Sequence, residues 1–148
     1  MEIRVTSHRE PESLDLTPFQ VLAQFVLDRE DLPDRVELSI AVVDDDEMAD
    51  LNERYRGKTG PTDVLSFGCD DPCVAEGDDP IALGDVIIAP AVAARQAQEY
   101  GSTIEDELNL LLVHGVLHLM GYDHEEDDDA AAMQERERIL LSAFADRA

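Results

Sequence analysis

Thr103-Ile-Glu-Asp-Glu-Leu-Asn-Leu-Leu-Leu-Val-His-Gly-Val-Leu-His-Leu-Met-Gly121 is the stretch from which the rest of the chain is read. Ser102 or Thr103 caps a long helix, and Thr103 to Asp106 has capping-box spacing with Asp in the last place. The helix is predicted to run to Met120, where Gly121 stops it. Its apolar part, Leu108–Met120, is the longest in the chain; it carries two His and falls short of a membrane span. A helix this apolar must lie inside a fold, covered by the other elements of the chain.

Upstream, Ile3–Thr6 alternates as a short strand. Thr17-Pro18 places an N-cap and a Pro at the first helical position, followed by Phe19, Leu22, Phe25 and Val26 at helical spacing. Leu32-Pro33-Asp34 is a turn, and Val36–Val43 alternates and then becomes wholly apolar, like a strand entering a core. Asp44 caps a helix with Met48, Leu51 and Tyr55 on its buried face, ended by Gly57. Asp63–Phe67 and Ala82–Ala89 read as strands around an acidic Gly68–Pro80 loop, and Pro90 opens a helix to Tyr100 closed by Gly101. Asp127–Ala145 is the last helix. The order β-α-β-α-β-β-α-α-α predicts one α+β domain over residues 1–148, with a sheet of about four strands covered by helices.

Thirty-five acidic residues against eleven basic ones give a net charge of −24, or roughly one charge per 300 Å² of a compact surface. That surface opposes non-specific attraction to nucleic acid or anionic membrane, and it suits a cell with high internal salt. The N-terminus has no apolar signal core. Cys69 and Cys73 are too few for a disulfide scaffold; they read as free thiols in a reducing cytosol, the alternative being that one closes a structural metal site as a fourth ligand.

The chemistry lies in His114-Gly-Val-Leu-His118-Leu-Met-Gly121-Tyr-Asp-His124. His114 and His118 stand about 40° apart around the helix and one turn along, within reach of one ion. A continuous helix would carry His124 to the far side, so the break at Gly121 is what lets it join them. Three imidazoles suit one Zn²⁺ with a fourth position open. The competing reading is two satisfied core histidines. The Glu125–Asp129 run, with Asp123 before it, either adds negative potential beside the metal and supplies a carboxylate to orient a ligand His, or caps the last helix in solvent. A zinc peptidase of the HExxH type is a third possibility, opposed by Gly115 in the place of the catalytic Glu.

HGVLHLMGYDH resembles the H-G-x-L-H-L-x-G-Y-D-H signature of the YbeY family, bacterial metal-dependent endoribonucleases of ribosomal RNA maturation. Two upstream segments fit in order: Leu51-Asn-Glu-Arg-Tyr-Arg56-Gly-Lys-Thr-Gly-Pro-Thr62-Asp63-Val-Leu-Ser66-Phe67, and Leu83-Gly-Asp85-Val-Ile-Ile88. The resemblance implies one zinc held by His114, His118 and His124, and a functional Arg56. It also implies processing of the 3′ end of small-subunit ribosomal RNA and ribosome quality control. The expected partners are precursor RNA and the ribosome or its proteins, in the cytoplasm, with neither DNA nor membrane. A ribosome-assembly factor with a mainly structural metal is the alternative. Independently, Arg54, Arg56 and Lys58 form a basic island at a helix end, where they either complement the dipole or grip a phosphate. Asp85, after a Gly at a strand start, is expected to orient a ligand, to act as a base, or to be a turn or ladder carboxylate only.

Overall fold

The computed structural model describes residues 1–8, 15–72, 77–122 and 126–147. The elements are β1 (Glu2–Ser7), α1 (Thr17–Arg29), β2 (Val36–Val42), α2 (Asp45–Arg56), β3 (Val64–Gly68), β4 (Ile81–Ile88), α3 (Pro90–Tyr100), α4 (Ile104–Leu119) and α5 (Asp127–Ala145). They form the α+β arrangement expected, around one four-stranded sheet of order β1-β2-β4-β3. The first two pairings are parallel and β3–β4 is antiparallel. β4 therefore lies between β2 and β3, and β3 becomes an edge strand.

The two faces of the sheet carry different loads. Val36, Leu38, Ile40 and Val42 of β2 and Val86 and Ile88 of β4 join the main core. There they meet Leu22 and Val26 of α1, Leu112, Val116 and Leu117 of α4, and Met133 and Leu140 of α5. Because neighbouring strand residues point to opposite faces, Val43, Leu65, Phe67 and Ile87 look the other way. They pack with Met48 and Leu51 of α2 and Val92 of α3 in a smaller cluster. At Gly84 the β2–β4 register shifts and φ is +143°. A Cβ there would stand 2.2 Å from the Phe67 carbonyl oxygen, so only glycine fits.

Most caps follow the sequence. Asp44 accepts from Glu47 N at 2.9 Å, and Thr103 Oγ accepts from Asp106 N at 3.0 Å. At α1 the expectation is corrected: Thr17 is already helical, Leu16 holds the cap position, and Asp15 Oδ1 accepts from Thr17 N. Tyr55 also departs from expectation, being 60% exposed, because α2 buries only Met48 and Asn52 fully. α4 ends at Leu119, and Gly121 takes φ +102°. β3–β4 pairing continues past Gly68 through Cys69 N to Leu83 O and Asp70 N to Ala82 O, shortening the expected loop. Cys69 is an exposed free thiol; Cys73 lies outside the described residues. No helix among the described residues is long and apolar enough to cross a membrane.

Candidate active site

α4 is buried at every position from Leu111 to Leu119 except His114 and His118, which are half-buried. Both open into one cleft of about 580 Å³. Its other walls are the end of α2, with Tyr55 and Arg56, and the edge strand with its lead-in, Thr62 to Phe67. Two of the sequence motifs, far apart in the chain, thus face each other across a single depression.

Local chemistry explains how the walls come together. Gly57 ends α2 with φ +66°, and the Asn52 amide donates to Gly60 O at 2.8 Å, folding the Arg56–Gly60 turn back on the helix. The chain then re-enters the sheet at Asp63, whose carboxylate accepts from Val64 N at 2.7 Å. Ser66 on β3 donates to the carbonyl of Gly115 at 2.9 Å, tying the edge strand to α4 between the two His. Gly115 itself faces the sheet: an added Cβ would lie 2.6 Å from Val86 Cγ1, 3.2 Å from Ser66 Oγ and 3.3 Å from Val64 Cγ2. No longer side chain fits there, so the peptidase Glu is excluded by packing as well as by sequence.

The imidazoles of His114 and His118 have ring centres 5.0 Å apart, with planes at 82°. Two rings ligating one zinc at a tetrahedral angle, with Zn–N about 2.1 Å and about 1.1 Å from nitrogen to ring centre, would have centres about 5.2 Å apart. The observed separation fits that donor set. His114 Nδ1 is 2.7 Å from Oε1 of Glu137 on α5. Glu137 is only 7% exposed and shares the buried stripe of α5 with Met133 and Leu140. This bond makes Nδ1 the donor to a carboxylate and leaves Nε2 as the ligating nitrogen, an arrangement typical of metal-bound His. Among the described residues no group of three or more His, Cys, Asp or Glu side chains is poised to hold a metal. The third histidine expected from the sequence, His124, lies outside them, as do Asp123 and Glu125.

Arg56 is exposed at the cleft and has no partner among the described residues, in a chain with 35 carboxylates. Every other described arginine is engaged. Arg4, Arg54, Arg95, Arg136 and Arg138 form ion pairs, Arg35 and Arg147 bond to carbonyl oxygens, and Arg29 lies over the Phe25 ring. Within the basic island, Arg54 is taken up by Asp50 at 2.9 Å, which separates its structural role from that of Arg56. Asp85 is exposed on β4, beside Phe67 in the register and on the opposite strand face from Val86, and it does not line the cleft. On α4, burial first and the negative charge of Asp63 second raise the pKa of Glu107 above the usual carboxylate value.

Sequence reading missed Glu137. The signal was present as a carboxylate at a position where the 3.6-residue period of Met133 and Leu140 calls for an apolar residue. It also gave Ser66 no task, since a hydroxyl that bridges to a helix carbonyl 49 residues later has no local signature.

Fold and cleft together define an α+β domain whose His-x3-His helix is set against an arginine-bearing edge-strand wall. A family model, "Endoribonuclease YbeY", matches residues 5–145, and the chain belongs to that family. It is 44% identical over 141 residues to "Endoribonuclease YbeY" of Beutenbergia cavernae, covering 93% of this chain and 94% of that protein. A protein of the same name from Acidothermus cellulolyticus is 48% identical over 134 residues, covering 85% and 82% respectively. The fold is similar to the solution structure of TM1509 from Thermotoga maritima, with a TM-score of 0.65 and 29% identity over 94% of this chain and 86% of that one.

Proposed function

We propose that this chain is a zinc-dependent endoribonuclease acting on the 3′ end of small-subunit ribosomal RNA precursors in the cytoplasm. The observation that carries this reading is the guanidinium of Arg56, which has no partner among the described residues, in the same cleft as His114 and His118. The curated relatives are named as endoribonucleases.

His114, through Nε2, and His118 would hold the ion, with His124 completing the set. The ion, when bound, supplies Lewis acidity that activates water or polarises a phosphoryl oxygen. Everything else is done by the chain. Glu137 holds the proton on Nδ1 of His114 and fixes its tautomer and ring direction. Arg56 offers a planar pair of N–H donors to the non-bridging oxygens of the scissile phosphate and balances the charge that develops there. Ser66 holds α4 against β3, so that the histidines and the phosphate-binding wall keep their spacing.

Ribosome association is a second part of the reading, and the acidic surface favours it. A net charge of −24 is complementary to basic ribosomal proteins, so the protein-rich parts of the particle would attract it while bare RNA would not. RNA and peptide substrates, each incubated with the protein before and after chelation, test the chemistry. RNA should be cleaved, chelation should abolish cleavage, and zinc should restore it. Cleavage that survives exhaustive chelation, or cleavage of peptide alone, would overturn the reading.

A further inference from the structure

We propose that the ring of Tyr55 is a stacking platform for one nucleobase of the bound RNA strand, beside the phosphate gripped by Arg56; this rests on the RNA reading above. Tyr55 stands in the apolar spacing of α2, where a core residue is expected, yet it is 60% exposed and lines the cleft with Arg56, His114 and His118. Its ring is held edge to face against Phe67, with centres 5.0 Å apart and planes at 64°. In that arrangement Phe67 covers at most one face of Tyr55. If Tyr55 supplies the edge, both of its faces are clear of Phe67; if Phe67 supplies the edge, the outer face is clear. Either way one aromatic face is clear of Phe67, on a ring that lines the same cleft as the arginine and is steadied by its contact with Phe67, which lowers the side-chain freedom lost on binding.

The charge of the chain favours such a platform. Proteins that bind RNA through many Lys and Arg draw their affinity from counterion release. Here Arg54 is committed to Asp50, which leaves Arg56 and Lys58 in the island against a net charge of −24. Stacking on an aromatic face does not depend on net charge and tolerates any base. A base held on Tyr55 would also set the position of the adjoining phosphate relative to the histidines. The other strongly exposed tyrosine, Tyr100, ends α3 and does not line the cleft.

The test uses a short fluorescein-labelled single-stranded oligouridylate and copies of it carrying one abasic ribose at each position in turn. Binding is followed by fluorescence anisotropy. Tyr55→Leu, which keeps apolar cover for Phe67 but removes the π face, should weaken binding by about 5- to 140-fold, the range for loss of one base–aromatic stack. Tyr55→Phe, which restores a ring, should recover most of that loss, and Tyr100→Leu should bind as wild type does. One abasic position should weaken the wild type to a similar degree and have little further effect in Tyr55→Leu. Wild-type affinity in Tyr55→Leu, or full abasic sensitivity retained by it, would overturn the platform and leave the nuclease reading standing. Wild-type protein that neither binds nor cleaves RNA would overturn both.

Discussion

Gly115→Ala is the smallest change that tests how the site is built. The new methyl would meet Val86 Cγ1 at 2.6 Å, with Ser66 Oγ and Val64 Cγ2 at 3.2 and 3.3 Å. Val86 is fully buried, and its branched side chain has no easy second rotamer. α4 must therefore lift from the sheet by several tenths of an ångström. Overpacking of this kind costs about 1–3 kcal/mol, and weakening the Ser66 to Gly115 hydrogen bond adds about 1 kcal/mol. Better helix propensity returns about 1 kcal/mol. The net destabilisation is about 1–3 kcal/mol, or a fall in Tm of roughly 2–12 °C for a domain of this size. Because the strained residue lies between the two His, zinc affinity should fall with Tm. Thermal unfolding and a chelator competition on the same preparation read both effects. Gly121→Ala is the control: a Cβ there has no neighbour within 4 Å, but φ is +102°, so its cost is backbone strain with no clash. A Gly115→Ala protein with unchanged Tm and zinc affinity would refute the close packing of α4 on β3 and β4 as the basis of the site.

Other consequences concern the groups around the cleft. Glu137→Leu suits the apolar stripe of α5, so Tm of the metal-free protein should hold. Zinc affinity measured against a chromophoric chelator should still drop about 10- to 100-fold as His114 loses its orienting partner; unchanged affinity would make Glu137 merely structural. Glu107 takes up a proton more readily in the folded than in the unfolded chain, so its ionisation costs stability as pH rises above its ordinary value of 4.5. Glu107→Gln should therefore melt higher than wild type at pH 7, with the advantage closing below pH 4.5, and an equal or lower Tm at pH 7 would contradict this. RNA cleavage should rise from low to moderate salt before it declines. Repulsion by the acidic surface is screened as the Debye length shortens from about 30 Å to about 8 Å, before local phosphate contacts weaken; a steep loss from the lowest salt onward would show a basic groove in control.

The element order was legible because its signals are local. Asp44 and Thr103 cap their helices through bonds three residues away, and Gly57, Gly101 and Gly121 end or follow theirs with positive φ. The insertion of β4 between β2 and β3 was not legible, since it is decided by which faces α1, α4 and α5 cover. The histidine pair could be read from helical spacing alone, and Arg56 from its motif. Tyr55 was misplaced because periodicity says which side of a helix is apolar, without saying how far the sheet extends beneath it. Glu137 was missed because a carboxylate on an apolar stripe gains meaning only when its partner, 23 residues earlier, is brought beside it. Asp85 could not be assigned from its Gly-Asp step alone: it stands in the middle of β4, on the strand face opposite Val86, and outside the lining of the cleft.

Zinc content and RNA cleavage, measured on the same preparations of wild type, His118→Ala and Arg56→Ala, address the joint role of the metal and the arginine. Wild type should carry one zinc and cleave small-subunit precursor RNA; His118→Ala should lose metal and cleavage together. Arg56→Ala should keep its zinc and its fold while losing cleavage, and Arg56→Lys should be impaired as well, because a lysine lacks the two-pronged geometry. Full zinc occupancy with normal cleavage in His118→Ala, or wild-type cleavage in Arg56→Ala, would contradict a phosphodiester site built from these two walls.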